Sequence, residues 1–294
     1  MRRALALLLA CGVVPAAADS LQFTAQNDSG FATDRGYTSG VRLSRLWEPG
    51  ASGATRWELG LAQQIFTPDT RQDPSARLER PYAARLTVFG ACHAVEDGRL
   101  DTLEVSAGVT GPSALGKQAQ QLFHRIISSP ETDWSRQLHE RLDAGVQGTL
   151  SRTLWSAQAL PASLAGHAGG NLGTVLGFAH AGLEARWGAA GAPWSEPLRH
   201  ASTPLANAGR ARGFSAFAGA SYRGVFRNEL LERNAGDPGR ALGRERAVRR
   251  LAAGAGWAAP WGALTFALVQ ETREYARQPY ETRYWSLGLA LPLH

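Results

Sequence analysis

A few polar residues, separated along the chain, could together bind a cation and activate water. Asn27 and Asp28 end one predicted strand and Thr38 starts the next, so a short hairpin brings an amide, a carboxylate and a hydroxyl together. All three offer the hard oxygen ligands that Ca²⁺ prefers. His124 lies on a later connection, and a histidine near a bound cation can deprotonate water while the cation stabilises the developing oxyanion.

The same residues also have a structural interpretation. Asn-Asp-Ser-Gly is an ordinary turn sequence, and a single histidine on a helix is commonly structural, so spacing alone leaves both interpretations open.

Other catalytic signatures are missing. The stretch 111–117 matches GxxxxGK, but Gln118 replaces the Ser or Thr that would ligate magnesium. The sequence contains no GxSxG, HExxH or paired CxxC motif.

Strands must position these residues, because period-two alternation dominates the chain. In the last segment Trp285, Leu287, Leu289 and Leu291 share one face, and small or polar residues share the other. We count about twelve such segments. Their approximate spans are 20–27, 37–47, 55–66, 81–94, 100–110, 140–156, 157–168, 173–187, 212–227, 244–257, 261–273 and 282–293.

This alternation favours a membrane barrel over a soluble β-sandwich. A soluble sandwich presents a charge-rich face to water, whereas the second face here is mostly small and uncharged, as expected for a filled lumen. Beyond residue 20 the sequence has no apolar run of about 18 residues, the length of a transmembrane helix. An even number of strands is typical of bacterial single-chain barrels. We predict an all-β fold, a transmembrane antiparallel β-barrel of about twelve strands.

The strand count also predicts the topology. With a periplasmic N-terminus, six connections face outward: 28–36, 67–80, 111–139, 168–172, 228–243 and 274–281. From Leu115 to Ile127 the apolar positions follow helical spacing, which predicts a helix carrying His124 in the third outer connection. The connection 188–211 is long and falls on the periplasmic side, and the sequence offers no reason for its length.

The N-terminus predicts export. Arg2 and Arg3 precede a short apolar stretch and a small-residue cleavage site, so residues 1–18 resemble a secretory signal peptide and residues 19–294 form the barrel. Cys11 lies in a near-lipobox, which leaves a lipoprotein as a minority alternative. The net charge is +6 and Lys117 is the only lysine. Arginine suits phosphate groups, and export favours anionic lipid over nucleic acid as the partner.

Three stretches carry a more specific signature. The first is Asn27-Asp28 followed by TDRGYTSG at 33–40. The second is Gly111-Pro112, Gly116, Gln120 and HRII at 124–127, continuing to Trp134 and Gln137-Leu138. The third is GGNL at 169–172. Together they resemble the LpxR family of outer-membrane lipid A 3′-O-deacylases, and the similarity covers nearly the whole mature chain.

The resemblance implies a twelve-stranded barrel that uses calcium to remove the 3′ acyloxyacyl group from lipid A of lipopolysaccharide. It implies that His124 is the general base. Asn27, Asp28 and Thr38 would form the calcium or oxyanion part of the site. Glu131 would match a glutamate that follows the family's histidine motif.

Other assignments remain open. The family has a lysine in the second outer loop where this sequence has none, and Arg71, Arg77 or Arg80 could replace it. We expect outer-loop arginines to bind the glucosamine phosphates, and we expect a monomer. The alternatives are a phospholipase-like esterase that uses the same cation and histidine, and a non-catalytic barrel such as an adhesin or small pore.

Overall fold

The computed structural model describes residues 19–31, 35–50, 54–69, 80–157, 161–188, 194–202, 212–232 and 242–293. The predicted signal peptide, residues 1–18, lies outside them. The strands are β1 (Ser20–Asn27), β2 (Gly36–Trp47), β3 (Thr55–Thr67), β4 (Ala83–Glu96), β5 (Arg99–Thr110), β6 (Arg141–Ser156), β7 (Ala162–Gly173), β8 (Leu176–Gly188), β9 (Gly213–Asn228), β10 (Ala247–Ala259), β11 (Gly262–Glu271) and β12 (Thr282–Pro292). The helices are α1 (Gly116–Ile126) and α2 (Glu196–Arg199).

The twelve strands form one closed antiparallel barrel, which confirms the predicted fold. Each strand pairs with its neighbours in sequence, and β1 pairs with β12 from Ser20↔Pro292 to Asn27↔Trp285. Large apolar side chains are exposed at alternate positions, as at Leu59 and Leu61 of β3. Among the described residues, no helix is long and apolar enough to cross a membrane.

The predicted third outer connection contains the predicted helix, α1. It lies at the end of the barrel where β1 leads into β2, which we call the outer end. The connections at this end are 28–35, 68–82, 111–140, 174–175, 229–246 and 272–281.

The prediction of an outer connection at 168–172 is wrong, because this segment belongs to β7 and the turn falls at 174–175. Gly169 in this segment and Gly182 on β8 each lie opposite a histidine. Gly169 pairs with His180, and Gly182 pairs with His167. A Cβ on either glycine would lie within 2.8 Å of the imidazole of its partner. These glycines make room for two rings inside the barrel and do not form a turn.

The lumen is more highly charged than the prediction of a small, uncharged face. Arg42 pairs with Glu104 at 2.8 Å and with Glu58 at 3.5 Å. Glu58 also contacts His93 at 3.0 Å. These groups come from β2, β3, β4 and β5, so ion pairs and hydrogen bonds connect the strands across the lumen. Buried charges require such partners.

Part of the long 188–211 connection folds back into the barrel. Residues 194–202 are described, and they include α2. This short helix contacts β8, β9 and β10. Its N-cap residue, Ser195, accepts a hydrogen bond from the N–H of Leu198 through its side chain.

The hydrogen bonds of α2 show that it lies inside the lumen. The buried Arg199 guanidinium donates to Ser151 of β6 at 2.8 Å and to Thr102 of β5 at 3.0 Å. Glu196 accepts a hydrogen bond at 3.4 Å from Thr24 of β1. These partners lie on strands that are far apart around the barrel. The segment therefore fills part of the lumen, and a cavity of about 200 Å³ lies beside it.

We predict that Arg199→Met destabilises the barrel and loosens this segment. Methionine keeps much of the volume but cannot hydrogen-bond to Ser151 or Thr102, and a hydrogen bond to a charged group contributes about 1.5–3 kcal/mol. Urea unfolding in detergent and conductance in planar bilayers would measure the two effects. Arg152→Met is the matched control, because Arg152 pairs with Asp101 at a partly exposed site. Equal stability and conductance in both variants would contradict the assignment.

Candidate active site

At the outer end, part of the outward-facing surface is buried. Strand register places Trp285, Asn27, Ser39, Ile65 and Ala84 side by side across five consecutive strands, from β12 to β4. Alternation directs all five outward, yet Asn27, Ile65 and Ala84 are buried. A cover must therefore lie on the outside of the barrel at this place.

A β-bulge turns Thr38 toward this surface. Thr38 has no partner in the register of β2 with β3, whereas the preceding residue, Tyr37, pairs with Phe66. Tyr37 and Phe66 face the lumen, where their rings meet edge to face at 5.3 Å. The Thr38 hydroxyl instead lies 2.6 Å from that of Thr67, which follows Phe66 and faces outward. Bulges commonly redirect a side chain in this way.

The hairpin from β1 to β2 brings the first three predicted site residues together. The N–H of Asp28 donates to the carbonyl of Thr38 at 3.1 Å. Oδ2 of Asp28 accepts the N–H of Arg35 at 3.0 Å, and Oδ1 of Asn27 accepts the N–H of Ser29 at 2.7 Å. Asp28 is only 2% exposed. Backbone hydrogen bonds thus hold the carboxylate in a fixed orientation.

The 111–140 connection covers the part of this surface that lies on β3 and β4. The buried residues of α1 are Gly116, Gln120 and His124, which lie one turn apart on a single face. The helix contacts β3 and β4. A Cβ on Gly116 would lie 2.3 Å from the Cβ of Ala84, so glycine is required for this close approach. Trp134 packs in the same apolar cluster as Ile65 and Ala84.

The environment of His124 defines its tautomer. Its Nδ1 lies 2.6 Å from the carbonyl oxygen of Pro130. A carbonyl can only accept, so Nδ1 carries the proton and Nε2 is the basic nitrogen of the neutral ring. Gln120, one turn earlier, accepts hydrogen bonds from Trp134 at 2.7 Å and from Thr132 at 3.0 Å. These contacts hold the returning chain against α1 and keep the imidazole in place.

Glu131 occupies a different environment from the other predicted site residues. It lies between Pro130 and Thr132, which both fold back onto α1, and its own side chain is exposed. The other four predicted residues are buried. The hairpin joins three of them, Asn27, Asp28 and Thr38, and His124 lies on the packed face of α1.

The candidates for the missing lysine have different positions. Arg80 is buried, donates to Glu274 at 2.8 Å and packs over the ring of Phe66, which faces the lumen. Its guanidinium is therefore directed into the barrel mouth. Arg71 and Arg77 lie outside the described residues.

The oxygen donors around Asp28 are chemically suited to calcium. A carboxylate, an amide oxygen and a threonine are hard ligands, and no group of three His, Cys, Asp or Glu among the described residues could hold a metal ion. A single carboxylate predicts weak binding, because ligand charge is a main determinant of calcium affinity. Asn27, Asp28 and Thr38 are the residues that would hold the ion.

Sequence reasoning missed two neighbours of this site. Thr67 contacts Thr38, and Asp69 accepts a hydrogen bond at 2.8 Å from Arg35. Thr67 is the last residue of β3, which pairs with the start of β2, and Asp69 follows two residues later. Assigning the register of the β2–β3 hairpin from the alternating pattern would have placed Thr67 and Asp69 beside the site.

The fold and the site together define a class: an outer-membrane β-barrel with a polar, helix-covered site on the outside of its wall. The sequence profile described as outer membrane protein LpxR matches residues 4–292. The chain therefore belongs to the LpxR family. No curated protein matches the sequence.

One solved structure shows the same fold, and two others are less similar. LpxR from Salmonella typhimurium superposes with a TM-score of 0.77 at 19% identity, covering 93% of this chain and all of that one. The translocator domain of the autotransporter NalP from Neisseria meningitidis superposes with a TM-score of 0.44 at 10% identity, covering 94% of this chain and 89% of that one. The β-domain of the Bordetella autotransporter BrkA gives 0.46 at 13% identity, covering 94% and 98%.

We predict that Gly116→Ala loosens α1 without opening the barrel. The added methyl group would clash with Ala84, and overpacking typically costs about 1–3 kcal/mol. Tryptic cleavage after Lys117 and Arg125, identified by fragment mass, should become about tenfold faster. Gly148→Ala is the control, because no atom lies within 4 Å of a Cβ there. Equal cleavage rates in the two variants would disprove the packing.

Proposed function

We propose that the chain hydrolyses the ester that links the 3′ acyloxyacyl group to lipid A, and that His124 is the general base. The observation that carries this proposal is the environment of the imidazole. Its Nδ1–H donates to Pro130, and the ring lies on the face of α1 packed against the barrel wall. A neutral histidine with a basic Nε2 is the group needed to activate water near pH 7.

The dimensions of the site suit this role. His124 follows Gly116 by eight residues, which is about 12 Å along a helix. From Ala84, where Gly116 packs, to Asn27 the wall spans three inter-strand spacings, or about 14 Å. The two lengths match, so we propose that α1 runs from β4 toward β1 and that an ester held between α1 and the wall reaches both His124 and the hairpin residues.

The reaction divides between two groups of residues. His124 Nε2 takes a proton from water as the water oxygen attacks the ester carbonyl, and the protonated ring then returns a proton to the departing sugar oxygen. The products are the free acyloxyacyl acid and the 3′ hydroxyl. Asn27, Asp28 and Thr38 would hold Ca²⁺, which when bound supplies positive charge for the oxyanion.

The position of the site favours an amphiphilic substrate. It lies on the outside of the barrel, at the height where the strands leave the apolar belt, so a lipid could present its ester without leaving the membrane. Arg125 and Arg136, on the same connection as His124, are exposed and could pair with sugar phosphates. These cations support lipid A over a neutral lipid.

The partly filled lumen argues against a pore. Residues 194–202 lie inside the barrel, and ion pairs such as Arg42–Glu104 connect its strands. The chemistry that we propose uses the outside of the wall and needs no channel.

The decisive test is His124→Ala. We expect it to reduce deacylation by about 10²-fold or more, because the positioned base is lost. Lipid A mass spectrometry with purified protein would measure release of the 3′-linked chain, and heat-modifiable gel mobility would verify folding. His139→Ala is the control, since this exposed histidine lies on the same connection. A folded His124→Ala variant with the parent rate would refute the mechanism. Fatty acid release from phospholipid but not from lipid A would favour the phospholipase alternative.

A second test concerns calcium. Asp28→Asn keeps the shape of the side chain but removes its charge, so the calcium concentration needed for half-maximal activity should rise at least about tenfold. EGTA should abolish parent activity, and zinc should restore it poorly. Asp133→Asn is the control, because hydrogen bonds from the N–H and hydroxyl of Ser135 lower the pKa of this exposed carboxyl and keep it charged. Full activity in EGTA would exclude calcium dependence.

A further inference from the structure

The helix α1 has three distinct faces. Gly116, Gln120 and His124 form the buried face. A second face is polar, and its members are Lys117, Gln118 and Arg125, which are exposed, and Gln121, which is half-buried. A third face is apolar, and its members are Ala119, Leu122, Phe123 and Ile126, with Leu115 just before the helix. Of these, Leu122 is 56% and Ile126 is 72% exposed, which is unusual for large apolar residues on an extramembrane helix.

The helix also lies directly beside the lipid-facing surface of the barrel. The connection that contains α1 covers Ile65 of β3 and Ala84 of β4, which form a register pair. Four residues further along the same strands, the register pair Leu61 and Val88 faces outward and is about half exposed. Four residues of a strand span about 13 Å. The cover therefore ends close to the position where the exposed apolar belt begins.

The distribution of charge on α1 is consistent with a membrane interface. Its two cations, Lys117 and Arg125, lie on the polar face, and the apolar face carries no ionisable group. Helices that lie in the plane of a membrane interface have one cationic face and one face of large apolar residues. A helix at a barrel rim needs a third face toward the wall, and here that face is the one that carries His124.

We infer that the apolar face of α1 inserts among the acyl chains of the outer leaflet. Leu122 and Ile126 are its most exposed helical members, and insertion would align them with the lipid-facing belt of β3 and β4. The occupant of this face is membrane lipid. This inference does not depend on the proposed reaction, although insertion would hold His124 at the depth where acyl esters lie.

Spin labels on α1 would test the insertion. We would replace Cys11 and Cys92 with alanine, introduce Ile126→Cys or Lys117→Cys, and reconstitute each labelled protein into phosphatidylcholine vesicles. Paramagnetic oxygen concentrates in hydrocarbon, whereas a water-soluble nickel chelate remains outside. We expect the ratio of oxygen to nickel accessibility to be several-fold higher at position 126 than at 117. A label at Leu61→Cys, on the barrel belt, gives the reference value for lipid.

Leu122→Cys provides an independent reporter on the same face, and heat-modifiable mobility would show that each labelled barrel is folded. Ratios at 122 and 126 equal to the ratio at 117 would overturn the inference. Because the measurement needs no substrate, its result is independent of whether the chain deacylates lipid A.

Discussion

Hydrocarbon offers no hydrogen bonds to the backbone, and this constraint shapes the whole molecule. Pairing of β1 with β12 removes the last free edge, and the outward side of the closed wall must then be apolar. Polar residues such as Asn27 and Thr67 can face outward only where protein covers them. The β3 and β4 side of the candidate site is such a covered place, because the 111–140 connection packs over the ends of these strands.

Several small departures from regular structure create the site. The bulge at Thr38 moves one side chain from the lumen to the outer surface beside Thr67. Gly116 allows α1 to approach the wall, and the Pro130 carbonyl selects the tautomer of His124. Each feature has a modest energetic cost or benefit. Together they fix the carboxylate of Asp28 in the β1–β2 hairpin and the imidazole of His124 on α1.

The inside and the outside of the barrel have separate roles. Ion pairs inside, such as Arg42 with Glu58 and Glu104, are buried and support the wall, as does the α2 segment through Arg199. The proposed chemistry and the proposed lipid contact both lie outside. This division makes a partly filled lumen compatible with the lipid substrate that we propose.

Period-two alternation determined much of this protein from the sequence alone, because it depends only on neighbours along the chain. It predicted the twelve strands, and helical spacing predicted α1. The motifs around Asn27, Asp28, Thr38 and His124 indicated which residues to examine. Tertiary structure alone decided the β7 boundary, where Gly169 makes room for His180, and the folding of residues 194–202 into the lumen. It also decided the Thr38–Thr67 contact and the proton position on His124. These features depend on groups brought together by closure of the barrel and folding of its connections, which no local pattern records.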